Sequence, residues 1–168
     1  RVLVQEPANR DAMLGLAAIA LQRGQAGEAG AHYARLLELD PTDAEAASGM
    51  ASLQRGDPAQ AESQLKKVLA ASPQTAAAHF ALGNVYAQQQ RWPEAQQAYF
   101  QALGAAPANA DYAFNLAVSL DQLGQQKLAL GSYQRALELA RKGGGSVDTA
   151  AVQARVGQLQ QEMTAPPP

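Results

Sequence analysis

Chemistry in this chain of 168 residues has to come from a short roster of side chains. The two histidines, His32 and His79, stand 47 positions apart (79 − 32), and neither is accompanied by the set of ligands at helical spacing that a metal would require. There is no cysteine, which removes disulfides, thiol catalysis and thiolate metal sites. Serines occur, but no histidine or lysine is placed to activate one. The glycines at 143–145 lack the lysine and hydroxyl context of a phosphate-binding loop. No catalytic constellation, cofactor or metal site is expected, and the chain reads as non-enzymatic.

What remains is recognition chemistry. Asp111, Phe114, Asn115, Val118, Asp121 and Gln122 fall at helical spacing on one face, opposite Leu116, Ala117 and Leu120. Phe80, Asn84, Ala87 and Gln88 form a corresponding stripe, as do Leu14, Ala18, Leu21 and Gln22. Side by side, such stripes make a groove with an apolar floor of Leu14, Phe80 and Phe114 and amide-rich walls. Asparagine and glutamine each donate and accept hydrogen bonds, which suits the backbone of an extended peptide. The competing reading has Phe80 and Phe114 packed against a neighbouring helix, and Asn84 and Asn115 simply solvated. Trp92, just before Pro93, is either an interface anchor or a ring folded over its own turn.

The elements that position these stripes are legible as a repeat. Pro7, Pro41, Pro73 and Pro107 recur at spacings of 34, 32 and 34 (41 − 7, 73 − 41, 107 − 73), and Ala29, Ala61, Ala95 and Ala129 keep step. Tyr33, Leu65, Tyr99 and Tyr133 do the same. A period near 34 marks stacked helical hairpins, none able to bury its apolar face alone. Hydrophobic residues make up 47% of the chain and aromatics 5%. Much of the apolar content is alanine, which favours helix and close approach but buries little area per residue. Gly24, Gly56 and Gly124 fall in the turns between paired helices, and Gln90 takes that place in the third unit, where a slightly strained turn is expected. Gly83 sits within a helix, where a small residue is best explained by close approach of the partner helix.

Leu82-Gly83, Tyr86, Ala95, Tyr99, Ala102 and Pro107, recurring in phase, resemble the tetratricopeptide repeat. The resemblance covers residues 8–141 as four repeats, 8–41, 42–73, 74–107 and 108–141. It implies an all-α fold, an α-α superhelix of antiparallel hairpins whose first helices line a concave side that binds partner proteins. In chaperone-binding members a similar asparagine pair belongs to a clamp for a peptide's terminal carboxylate. Here Phe80 stands in place of one of that clamp's lysines, so the likeness to it is partial.

Departures from the pattern set further expectations. The second unit is two residues short after Ala51, so its first helix either ends early or starts late. Residues 142–146 read as a Gly-rich loop with Ser146 as the N-cap of a capping helix over 147–163, striped by Val152, Val156, Leu159 and Met163. Residues 164–168 read as a disordered tail, and residues 1–7 as the remnant of a preceding repeat helix, so that the chain reads as a fragment of a longer array. The net charge of −2 gives no basic field for nucleic acid or anionic lipid, and no apolar run reaches the roughly 20 residues that cross a bilayer. The function expected is a protein–protein interaction scaffold, with self-assembly into a homo-oligomer, or service as the accessory region of a larger enzyme, as the alternatives. The Ala/Gln/Gly-rich style points to a bacterial protein of envelope machinery such as pilus assembly or secretion, in periplasm or cytoplasm.

Overall fold

Helix starts in this chain are written as a proline followed two positions later by a capping side chain. Asn9 follows Pro7, Asp43 follows Pro41 and Asn109 follows Pro107, and each accepts from a backbone N–H of its first turn. Asp57 does the same for the helix opened by Pro58. Such a cap satisfies one of the four donors orphaned at a helix N-terminus. The structure is a computed structural model and describes residues 9–54, 56–143 and 145–165. The segment read as an earlier helix (1–7) lies outside the described residues, as do the last three residues of the tail. All regular structure among the described residues is helical: α1 Arg10–Gln22, α2 Ala26–Leu39, α3 Ala44–Leu53, α4 Pro58–Ala71, α5 Ala76–Gln88, α6 Trp92–Ala105, α7 Ala110–Gln122, α8 Gln126–Gly143 and α9 Thr149–Thr164.

The chain divides into two compact units between Val85 and Tyr86, a boundary that falls within α5. In the first unit α1 and α2 pair, and α3 packs on α2. Their shared core is Met13, Ala17, Ala20, Ala29, Tyr33, Leu36 and Ala46, flanked by Leu14, Leu37, Met50 and Leu53. Its alanines let the helices approach, and Tyr33 supplies the volume. Gly49 is where that volume goes: a Cβ there would collide with the Tyr33 ring, lying 2.6 Å from both Cε1 and Cε2. Arg10 ties the start of α1 to the start of α3, with Nε 2.6 Å from Asp43 and Nη2 3.0 Å from Glu45.

The shortening in the second repeat is taken from the end of a helix. α3 starts three residues after its proline, like α1, α5 and α7, but stops at Leu53 after 10 residues, against 13 for each of the others. An open depression of about 350 Å³ lies alongside, lined by Ala34, Leu37, Glu38, Met50, Gln54, Gln60 and Gln64.

Three hairpin turns share one geometry. Gln25 N–H bonds the Ala20 carbonyl at 2.9 Å, Arg91 bonds Tyr86 at 3.0 Å and Gln125 bonds Leu120 at 2.9 Å. The residue before each donor is left-handed: Gly24 at φ +72°, Gln90 at +57° and Gly124 at +71°. This is the paired-bond C-terminal motif that favours glycine. Gln90 adopts it with a side chain, so the strain read from its sequence position is present in the backbone.

In the second unit α7 packs on both α6 and α8, and α9 packs on α8. Ala110, Ala113, Ala136 and Leu139 form a core, flanked by Leu103, Phe114, Ala140 and Val147. The end of the chain departs from the sequence expectation in two ways. α8 continues to Gly143, so the loop begins later than residue 142, and α9 begins at Thr149. Its N-cap is Asp148, which accepts from Ala151 N–H at 3.1 Å, and not Ser146. Ser146 is engaged elsewhere, as described below.

Candidate functional site

The residues read as facing away from the intra-hairpin core lie on α1, on α5 and on α7, each taken by itself. On α1, in the first unit, Leu14 is half-buried against the core, and Ala18 and Gln22 are exposed. On α5, Phe80 and Asn84 are half-buried and Gln88 is exposed. On α7, in the second unit, Asp111, Phe114, Asn115 and Val118 are half-buried and Gln122 is exposed. None of these side chains is sealed off.

Two members of the α7 set do more internal work than the sequence implied. The Phe114 ring lies 6.2 Å from that of Tyr133 on α8, tilted by 52°, and it flanks the unit's core. Phe114 is therefore part wall and part floor: one edge holds the hairpin together and the remainder is open. Asp111 accepts from both the backbone N–H (3.1 Å) and the hydroxyl (2.9 Å) of Ser146. Its carboxylate fastens the loop after α8. Asn115 donates from Nδ2 to the carbonyl of Asp111 one turn back, at 2.8 Å, which leaves its Oδ1 oxygen as an acceptor.

Sequence reasoning missed the strongest polar feature of this face. Asp121 of α7 receives Arg155 of α9 in a two-pronged pair, Nε to Oδ2 at 2.7 Å and Nη2 to Oδ1 at 2.7 Å. The Tyr133 hydroxyl donates to the same Oδ2 at 3.1 Å. The guanidinium, and then the phenol, hold the Asp121 carboxyl below its ordinary value against the opposing effect of burial. Burial, followed by the neighbouring Asp121 charge, pushes the Tyr133 phenol up. The available signal was the place of Arg155 beside the apolar stripe of α9, three residues after Val152 and four before Leu159.

His79 is placed for structure. His79 Nε2 lies 2.7 Å from the Pro73 carbonyl oxygen, closing the loop before α5. Trp92 is the first residue of α6 and is half-buried. Arg91 stacks its guanidinium 4.5 Å from the centre of the Tyr86 ring. Among the described residues no group of three or more His, Asp or Glu side chains is gathered where it could hold a metal ion. No helix among them is long and apolar enough to cross a membrane.

Paired helices, turns of one geometry and a repeating free face define the class: a helical-hairpin repeat protein. Two tetratricopeptide-repeat family models match, one over residues 47–107 and 89–145 and the other over residues 1–53. The chain belongs to the tetratricopeptide repeat family, and its fold class is that family's all-α solenoid. Proteins of this family are generally non-catalytic interaction scaffolds. A comparison with curated protein sequences finds no match.

Solved structures from bacteria are similar. For pilF of Pseudomonas aeruginosa the TM-score is 0.77 at 25% identity, covering 92% of this chain and 68% of that one. For a thermophilic TPR protein of Thermus thermophilus it is 0.74 at 23%, covering 94% and 84%. For MamA of Desulfovibrio magneticus RS-1 it is 0.65 at 20%, covering 94% and 98%.

Proposed function

We propose that the chain is a non-catalytic scaffold whose first-helix faces bind a peptide or helix of a partner protein. The observation that carries this reading is positional. Leu14, Phe80 and Phe114 each stand seven residues after a repeat proline (14 − 7, 80 − 73, 114 − 107). Ala18, Asn84 and Val118 each stand eleven after it, and Gln22, Gln88 and Gln122 fifteen after it. The three glutamines end α1, α5 and α7, and all three are exposed. Each of these helices thus presents an apolar residue, then an alanine, asparagine or valine, then a terminal carboxamide, in the same order. A helix face of this kind supports binding of an extended or helical segment: apolar anchors give affinity, and amides fix register on main-chain groups. The uncharged character of these positions supports a partner segment that is itself largely neutral where it touches them.

For the biological setting we propose bacterial envelope machinery, pilus assembly or secretion. The likeness to a pilF protein, together with the alanine- and glutamine-rich composition, supports that setting. Binding is tested by placing bulk and charge on the free face. Ala18→Arg and Gln122→Arg alter exposed residues, so they should leave the thermal melt unchanged and weaken partner binding at least tenfold. Undiminished binding by both variants would remove the proposal.

A further inference from the structure

α9 is held to its unit by few side chains. Val152 and Leu159 are its two buried residues, Val156 is half-buried, and most of the helix is exposed. Its principal polar attachment is the Arg155–Asp121 pair, and Glu162 adds one bond across to α8, from Gln126 Nε2 at 2.9 Å. The segment before it passes through Gly145 at φ +117°, a conformation that needs glycine.

The receiving side is more strongly built than its occupant. Asp121 is fixed by the hydroxyl of Tyr133, which is only 5% exposed, and it offers both carboxylate oxygens to a planar fork. Asp121 also continues the free face of α7, at three residues past Val118 and next to Gln122. We propose that this face of α7 and α8 recognises a partner helix that carries an arginine between two aliphatic residues. The spacing is Val-x-x-Arg-x-x-x-Leu, which α9 itself presents, and α9 is the occupant that such a helix displaces. The negative receptor fixes the charge of the partner, and the arginine-to-aliphatic spacing fixes its helical form. The inference deepens the partner-binding reading of α7 by naming a partner class.

Exchange and permanent capping make different predictions. While α9 is docked, an outside helix binds with its intrinsic affinity reduced by the fraction of open molecules. Arg155→Ala weakens only the resident helix, so an added helix should bind more tightly. Asp121→Asn weakens resident and added helix alike, so the two effects cancel.

The probe is a fluorescent synthetic peptide of residues 149–164, titrated by anisotropy into the full chain. The Arg155→Ala protein should bind it about tenfold more tightly than wild type, the factor expected for a charged hydrogen-bonded pair. The Asp121→Asn protein should stay near wild type, and a peptide with its own arginine changed to alanine should lose the gain. No binding by the Arg155→Ala protein, or equal affinity in the two variants, overturns the proposal. That result leaves the free-face reading standing, because the latter is judged by Ala18→Arg and Gln122→Arg.

Discussion

Single positions set the local tolerances of this chain, and two glycine-like sites show it from opposite directions. Gly49 has no side chain because the Tyr33 ring occupies the space a Cβ would need. Gly49→Ala must push a buried ring, so it should destabilise by about 1–3 kcal/mol, read as a lowered thermal midpoint and denaturant midpoint. Gln90 has a side chain where its two counterparts, Gly24 and Gly124, have none. Gln90→Gly should therefore stabilise by about 0.5–1 kcal/mol, because the left-handed strain it relieves outweighs the added freedom of the unfolded chain. The Gln90 strain was legible in the sequence because a turn position can be aligned by counting from the repeat prolines. The Gly49–Tyr33 contact was not, because it joins the second helix of one repeat to the first helix of the next, and counting along a helix does not give that register. Asp121 adds a titration. Its folded-state pKa is depressed, so its contribution is complete above the ordinary value of 3.8 and is lost as pH falls through the lower folded value. Acid melts should show wild type losing more stability below that range than Asp121→Asn does.

At the scale of the helix, boundaries follow caps more faithfully than composition. The loop expected over 142–146 read three glycines as a break, yet α8 runs to Gly143, because its core residues Tyr133, Ala136, Leu137 and Leu139 hold the helix to its end. Ser146 was read as an N-cap from its residue type. The cap is Asp148, and Ser146 bonds Asp111, 35 positions earlier, a tertiary contact that no local pattern contains. The short second repeat was legible as a deletion and ambiguous as to where it falls. Asp43 settles the start of α3 by accepting from Glu45 and Ala46, so the loss appears at the C-terminal end. Restoring two residues after Ala51 should lengthen α3 by about half a turn, which helical circular dichroism would report as a gain.

For the whole molecule, the repeat arithmetic carried most of the fold. The proline, alanine and tyrosine positions predicted the hairpins, and the alanine-rich cores of the first and second units are what that composition allows. The candidate site was legible less completely. Phe114 and Asp111 lie on α7 with part of each engaged internally, by Tyr133 and by Ser146. On the proposed reading, binding energy should be spread over repeated small contributions from Leu14, Phe80, Val118 and the three terminal glutamines. Val118→Ala alone should weaken a partner only a few-fold. Blocking substitutions, which add bulk, should act more strongly than truncations.

The most direct measurement is comparative capture of partner proteins from bacterial extract by the wild-type chain, by an Ala18→Arg/Gln122→Arg variant and by a Phe100→Ala control. Phe100 is 59% exposed on α6, a second helix of its hairpin, and is not part of the free face. Quantitative mass spectrometry should find the same bound protein with wild type and control, and lose it with the doubly blocked chain. Equal recovery by the blocked chain, or loss on changing Phe100 alone, would contradict the account.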